Sequence, residues 1–162
     1  MVRFFQSVPM LPSPSSDARR QRWLSIMAKA PADRLQVLWQ ALGATPSYTV
    51  LRRAEIGLVM LRGRISGSGL PFAVGEMTVT RAAVRLATGQ IGIGYVGGRH
   101  LRQAEFVAAV DALGQLPEWR QSLEDRIVAP LEQEAEARHR LRAAKAAATR
   151  VDFFTVAREA GA

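Results

Sequence analysis

The chain has 162 residues, of which 48% are hydrophobic, and its formal net charge at neutral pH is +8. This length and composition suit one domain with a hydrophobic core and argue against a disordered chain. The sequence contains no cysteine, which excludes disulfides, thiolate nucleophiles, iron–sulfur ligation and cysteine-type zinc sites. The absence of cysteine fits a cytoplasmic protein, and no apolar run approaches the ~20 residues that a membrane-spanning helix needs.

The positive charge is carried almost entirely by arginine, since Lys29 and Lys145 are the only lysines. Arginine forms planar, bidentate pairs with carboxylates and phosphates. The charge therefore favours nucleic acid, a phosphorylated ligand or an acidic protein as the partner. A GC-rich genome produces the same arginine bias, so the composition alone leaves the partner open.

Prolines and serines interrupt residues 1–16, which predicts a flexible leader without the apolar centre of a secretory signal. A first helix is predicted over about 17–30, with Ser15 or Ser16 as its cap. A second helix is predicted from Pro31. Its apolar residues recur at helical spacing and form one buried stripe: Leu35, Leu38, Trp39 and Leu42.

Four strands are predicted in the middle of the chain, over residues 48–51, 56–65, 71–86 and 90–96. Their short connections favour antiparallel pairing, because parallel pairing needs a longer crossover. Three further helices are predicted over about 99–115, 117–123 and 130–149. This order predicts one α+β domain over 17–149, an antiparallel four-stranded meander flanked by N-terminal and C-terminal helices.

No catalytic group stands out in the sequence. His100 and His139 are the only histidines and lie on different predicted elements. Because a metal site needs three or four converging ligands, we predict no metal site. No Ser/His/Asp arrangement can be assembled without assuming the fold. We therefore assign no catalytic residue and expect this chain to bind no cofactor of its own.

Three arginines are candidate ligand-binding residues. Arg81 and Arg85 share one face of the predicted third strand, close enough to clamp an anion or a partner's carboxylate. A solvated face of a half-exposed sheet is the alternative. Arg99 ends a glycine-rich segment, residues 92–99, that runs from strand to helix. Helix N-terminal amides can bind phosphate there, or the alternate glycines allow close packing of a helix.

The end of the chain, residues 150–162, is predicted to be a docking segment. It contains Asp152 followed by the adjacent aromatic residues Phe153 and Phe154. Two large aromatic side chains give a chain end the means to dock, either on another protein or on its own core.

The predicted helix over 130–149 is acidic in its first half and basic in its second. This order complements the helix dipole. The basic half also raises the alternative of a nucleic-acid-binding module, although it lacks the interleaved aromatics that stack on bases.

Several segments, in a fixed order over about residues 17–158, carry a resemblance to a known family. They are Arg22-Trp23, Tyr48, Arg52 to Val59, Gly75-Glu76, Thr78 to Leu86, Gly98-Arg99, Ala104-Glu105, Asp111 to Leu113, Ala129 to Leu131 and Val151 to Thr155. Together they resemble the PhnG family, the G subunit of the bacterial carbon–phosphorus lyase system. One departure is His100, where many relatives are expected to have aspartate.

The resemblance implies a cytoplasmic core complex with H, I and J subunits, joined by an L subunit in the synthase reaction. It implies an accessory subunit of a transferase that forms α-D-ribose 1-alkylphosphonate 5-triphosphate from ATP and an alkylphosphonate, with release of adenine. ATP is then a substrate of the complex, and no nucleic acid or membrane is a partner. The alternative is that Arg81, Arg85 and Arg99 bind the phosphonate or triphosphate directly.

Overall fold

The structure, a computed structural model, describes residues 14–43, 47–65 and 69–149. Its elements are α1 (Pro14–Lys29), α2 (Ala32–Ala41), β1 (Tyr48–Gly63), β2 (Phe72–Leu86), β3 (Ile91–Gly97), α3 (Leu101–Gly114), α4 (Pro117–Leu123), a π-helical turn (Glu124–Val128) and α5 (Ala129–Ala148). The α+β class is therefore confirmed. The predicted docking segment, with Asp152, Phe153 and Phe154, lies outside the described residues, as do residues 1–13 of the predicted leader.

The first two helices follow the predicted pattern closely. Helix α1 begins at Pro14, so the prediction that Ser15 or Ser16 caps it is wrong. Proline suits a first helical position because its φ is already fixed near the helical value. The apolar stripe of α2 and the residue after it is buried as predicted, at Leu35, Leu38, Trp39 and Leu42.

The sheet has three antiparallel strands in the order β1-β2-β3. The predicted fourth strand does not exist in the described residues, because 48–51 and 56–63 belong to the single strand β1, which ends at Gly63. The polar run between them stays paired to β2 through two irregularities, between Val50 and Arg52 and between Arg52 and Glu55. Such bulges let a strand absorb extra residues without ending its ladder.

Helix α3 lies against the inner face of the sheet, across two glycines of β3. A Cβ atom built on Gly92 would overlap the backbone carbonyl of Ala108, and one on Gly94 would overlap that of Ala104. The glycines therefore let the helix backbone touch the strand, which is the close-packing interpretation of residues 92–99. The residues that alternate with these glycines along β3 point to the opposite face and are exposed: Ile91, Ile93 and Tyr95.

The last two helices are joined without a loop. The π-helical turn connects α4 to α5, so the separate helix expected to open at Pro130 is instead a continuation. Proline has no backbone N–H to donate, and its ring clashes with the carbonyl four residues earlier. A π-helical turn bonds residues five apart, which accommodates the missing donor and the ring.

The hydrophobic core lies between the inner sheet face, α3 and the remaining helices. Its largest fully buried side chains include Met27, Leu35, Val84, Val107, Leu113, Leu123, Ile127 and Leu131. The second half of α5 is exposed. The core thus fixes α3 and the sheet as the frame that positions the candidate site residues.

Candidate functional site

Arg81 and Arg85 lie on the outer face of the sheet, as the strand pattern predicts. Arg81 is aligned with Glu55 of β1 and Tyr95 of β3, and Arg85 is aligned with Ile91 of β3. Both arginines are exposed, whereas Val84 between them is buried on the inner face. The shared face of the two arginines is therefore confirmed.

Arg81 contacts a carboxylate of the neighbouring strand, and Arg85 lies four residues farther along β2. The Nε atom of Arg81 donates a hydrogen bond to Glu55 Oε1 at 2.8 Å, and Arg52 Nη1 lies 3.4 Å from the same oxygen. At about 3.3 Å of rise per residue, Arg81 and Arg85 have Cα atoms ~13 Å apart.

Arg99 lies in the connection between β3 and α3. The buried Thr80 anchors this connection, because its hydroxyl donates to the Gly98 carbonyl at 2.7 Å and accepts from the His100 amide at 3.0 Å. Arg99 is exposed. Arg99 lines a cavity that neither Arg81 nor Arg85 lines.

Arg99 borders an open cavity of about 390 Å³ between the starts of α2 and α3. Arg102 and His100 add to the basic character of its wall, and Asp33 of α2 contributes a carboxylate. His100 occupies the N-cap position of α3, but its side chain makes no capping hydrogen bond. The free amides and arginines here favour anions.

A second cavity, of about 270 Å³, was not predicted from the sequence. Its wall combines apolar residues with several charged ones: Asp17, Arg19, Arg20, Trp23, Leu24, Met27, Asp111, Gly114, Gln115 and Arg120. It lies beside α1, α3 and the start of α4.

Asp111 is the buried centre of the polar contacts at this cavity. Its carboxylate accepts hydrogen bonds from Arg20 Nε at 2.7 Å, from Arg20 Nη2 at 2.8 Å and from the Ile93 amide at 2.8 Å. The bond to Asp111 raises the pKa of Arg20. Asp111 thus ties α1 and β3 to α3, and the signal in the sequence was an acid inside the apolar run 106–113 of that helix.

A second ionic network joins α1 to the π-helical turn and to α5. Arg22 donates to Glu124 and to Glu132, and Trp23 Nε1 donates to Glu124 Oε2 at 2.6 Å. The hydrogen bond from Arg22 lowers the pKa of Glu124 from its usual 4.5. Because the pKa of Glu124 is lowered on folding, this contact stabilises the fold at pH values above the ordinary pKa of glutamate. The stabilisation is lost as the pH falls through the folded-state pKa.

Tyr48 contributes a polar contact at the start of β1. Its hydroxyl donates to Glu105 Oε1 at 2.9 Å. Burial, followed by this hydrogen bond to a carboxylate, raises the pKa of Tyr48 to about 12. Because the folded-state pKa is the higher one, this contribution is present at neutral pH and is lost as the pH rises through about 12.

These ionisable groups are paired with one another: Asp111 with Arg20, Glu124 with Arg22, and Tyr48 with Glu105. Among the residues that the structure describes, no group of three or more His, Asp or Glu side chains could hold a metal ion. No helix in the described ranges is long and apolar enough to cross a membrane.

The comparisons with known proteins agree with the resemblance. The family model described as "Phosphonate metabolism protein PhnG" matches residues 18–159. A curated relative, the alpha-D-ribose 1-methylphosphonate 5-triphosphate synthase subunit PhnG of Rhizobium meliloti (strain 1021), is 41% identical over 144 residues. The alignment covers 87% of this chain and 90% of the relative. With a family match over nearly its whole length and this degree of identity, the chain belongs to the PhnG family.

Proposed function

We propose that this chain is an accessory subunit of the enzyme that makes α-D-ribose 1-alkylphosphonate 5-triphosphate. The observation that carries the proposal is the 41% identity, over 87% of the chain, to a relative named as a subunit of the methylphosphonate synthase. In this reaction a phosphonate oxygen of the alkylphosphonate attacks C1 of the ribose of ATP. The bond from C1 to adenine breaks, and adenine leaves with a proton.

The described residues support an accessory role over a catalytic one. The most deeply buried carboxylate, Asp111, is neutralised by Arg20 and bonded to a backbone amide. Glu124 and Glu132 are both paired with Arg22. A subunit of this kind contributes by positioning or closing an active site on a partner, which raises the rate without a reacting group of its own.

The partners that we propose are the H, I and J subunits of the carbon–phosphorus lyase core complex, with the L subunit in the synthase reaction. The complex is proposed to be cytoplasmic, with ATP as its substrate and no cofactor bound by this chain. Asp152, Phe153 and Phe154, in the C-terminal segment, are proposed to dock on a partner, because adjacent aromatic residues bury large apolar areas.

Reconstitution with purified subunits tests the proposal. Adenine release from ATP and methylphosphonate is measured with the full set of subunits, without this chain, and with this chain alone. We expect release only from the full set, because the reacting groups and the accessory surface are on different chains. Release by this chain alone, or an unchanged rate without it, would contradict the proposal.

A second candidate role, direct contact with the phosphonate or triphosphate, is favoured by the basic cavity at Arg99. Replacing Arg99 with alanine would then raise the apparent KM of the intact complex, with kcat less affected, because an anion contact is lost. The double variant Arg81→Ala/Arg85→Ala tests the outer sheet face in the same assay. Unchanged kinetics for both variants in an intact complex would rule out the direct role.

A further inference from the structure

Part of the sheet extends beyond the helices that cover the rest of it. This part, here named the hairpin arm, consists of residues 58–63 of β1 and 72–78 of β2, which pair with each other. Leu58 is 63% exposed and Met60 is 55% exposed. Other large apolar residues exposed on the arm or its connection are Leu61, Ile65, Leu70, Phe72, Val74 and Met77.

The exposed apolar side chains occupy both faces of the hairpin arm. Residues aligned across an antiparallel pair share a face. Leu58 is aligned with Thr78 and lies on the inner face, as does the pair of Ile56 and Thr80 two residues away. Val59 is aligned with Met77 and lies on the outer face. Val59 is half-buried and Met77 is exposed. A single flat surface would cover only one of these faces.

Such an arm is poorly stabilised by its own contacts. A two-stranded ribbon is marginal in water unless it packs against something else. Contiguous exposed apolar surface of this kind marks a protein-binding site. In addition, β1 lies at the edge of the sheet, where its backbone groups can pair with a strand of another chain.

The charge of the hairpin selects between possible occupants. The segment from Tyr48 to Leu86 contains six arginines and two glutamates, so its net charge is +4. The arm itself carries one exposed arginine, Arg62, and one exposed glutamate, Glu76, and the exposed Arg64 follows it in the connection. The whole chain has a net charge of +8. A second copy of the chain would bring like charges together, whereas a partner with carboxylates would complement them.

We propose that the hairpin arm inserts into an apolar cleft, bordered by carboxylates, on another subunit of the synthase. The cleft contacts both faces of the arm, and its rim carboxylates pair with arginines such as Arg62. This proposal rests on the proposed accessory function and adds the surface through which the subunit assembles. It does not involve the C-terminal segment.

The test compares variants in which exposed apolar residues are replaced by glutamine. Leu58→Gln/Met60→Gln alters the arm, and Val37→Gln alters an apolar residue of α2 that is 52% exposed. Each full-length variant is co-purified with the other synthase subunits, and the dissociation constant from the complex is measured. The arm variant is expected to bind at least tenfold more weakly, about 1.4 kcal/mol, because it puts polar groups into a desolvated cleft. The control is expected to bind as the wild type does.

Charge reversal provides an independent measurement. Arg62→Glu is expected to weaken assembly and to remove part of its salt dependence, because it places like charges at the rim of the cleft. Arg126→Glu, an exposed arginine outside the arm, is expected to have no such effect. Assembly of both arm variants with wild-type affinity would overturn the proposal and leave the accessory function standing.

The remaining occupants give different results. Light scattering and thermal unfolding are measured on the isolated chain. If the wild-type chain forms a dimer and the arm variants do not, a second copy of the chain occupies the arm. If the arm variants are monomers that melt at a lower temperature than the wild-type monomer, the chain covers its own arm. Either result overturns the proposal. If the wild-type chain fails to join the other subunits at all, the accessory function falls as well.

Discussion

The half of the sheet beneath α3 and the hairpin arm are made from the same two long strands, yet their apolar residues have opposite surroundings. On β2, Ala82 and Val84 are buried under α3. On β1, Leu58 and Met60 also point to the inner face but are exposed. The apolar content of a strand therefore does not decide its burial; the reach of the covering helix does.

The covered half also depends on close contact that the arm lacks. Gly92 and Gly94 bring α3 onto the sheet, and Asp111 fixes that helix to α1 and β3. On the arm, an added Cβ at Gly75 would meet nothing within 4 Å, and one at Gly63 would meet only the side chain of Val74, with no helix in contact. We expect substitutions in the covered half to change the free energy of unfolding and substitutions in the arm to change assembly.

The largest effect is expected from Gly94→Ala. The new Cβ would overlap the Ala104 carbonyl, so α3 must move away from the sheet, at a cost of about 3 kcal/mol or more. Chemical denaturation measures the loss. Gly97→Ala is the matched control on the same strand, because no atom lies within 4 Å of its added Cβ. Equal stability of the two variants would show that α3 does not contact β3 so closely.

The next effect is expected from Asp111→Asn. This change removes the charge that pairs with Arg20 and leaves fewer acceptors for the three hydrogen bonds at this site. The expected loss is about 2 kcal/mol, because hydrogen bonds to charged groups in buried surroundings are among the stronger ones. Urea denaturation compares it with Glu55→Gln on the exposed face, which should lose far less. A similar loss in both would mean that burial does not strengthen the Asp111 contacts.

A smaller effect of opposite sign is expected from His100→Asp. An aspartate at the N-cap can accept hydrogen bonds from the first amides of α3, which the His100 side chain does not do. Its negative charge also interacts favourably with the positive end of the helix dipole. The expected gain is about 1 kcal/mol in the free energy of unfolding, measured by denaturation. His139→Asp, within α5, is the control and should give no gain. A loss at position 100 would show that the histidine has another role.

The smallest effect is expected from Arg81→Ala. Its pair with Glu55 is on the exposed face, so the loss should stay below about 0.5 kcal/mol and shrink further as salt is added. Thermal unfolding at two salt concentrations measures it. A large, salt-independent loss would show that the outer face is covered in the isolated chain and that the contrast between the two halves is overstated.

Much of the helical layer could be predicted from the sequence. The spacing of Leu35, Leu38 and Trp39 predicts one buried stripe, and all three are buried, because helical periodicity is local. The alternation around Arg81 and Arg85 likewise predicted their shared exposed face. The number of strands was not predictable in this way. The polar residues from Arg52 to Glu55 suggested a break, whereas pairing with β2 keeps β1 continuous through two irregularities.

The sequence by itself determined the family, the α+β class and the absence of any cysteine chemistry, because composition, periodicity and long motifs are properties of the chain. Only the tertiary structure decided that Arg99 lines a cavity that Arg81 and Arg85 do not line, and that Asp111 accepts hydrogen bonds from Arg20. It also decided that half of one hairpin remains uncovered. The reason is that contacts between residues distant along the chain depend on how far each helix extends over the sheet, and no local pattern encodes that distance.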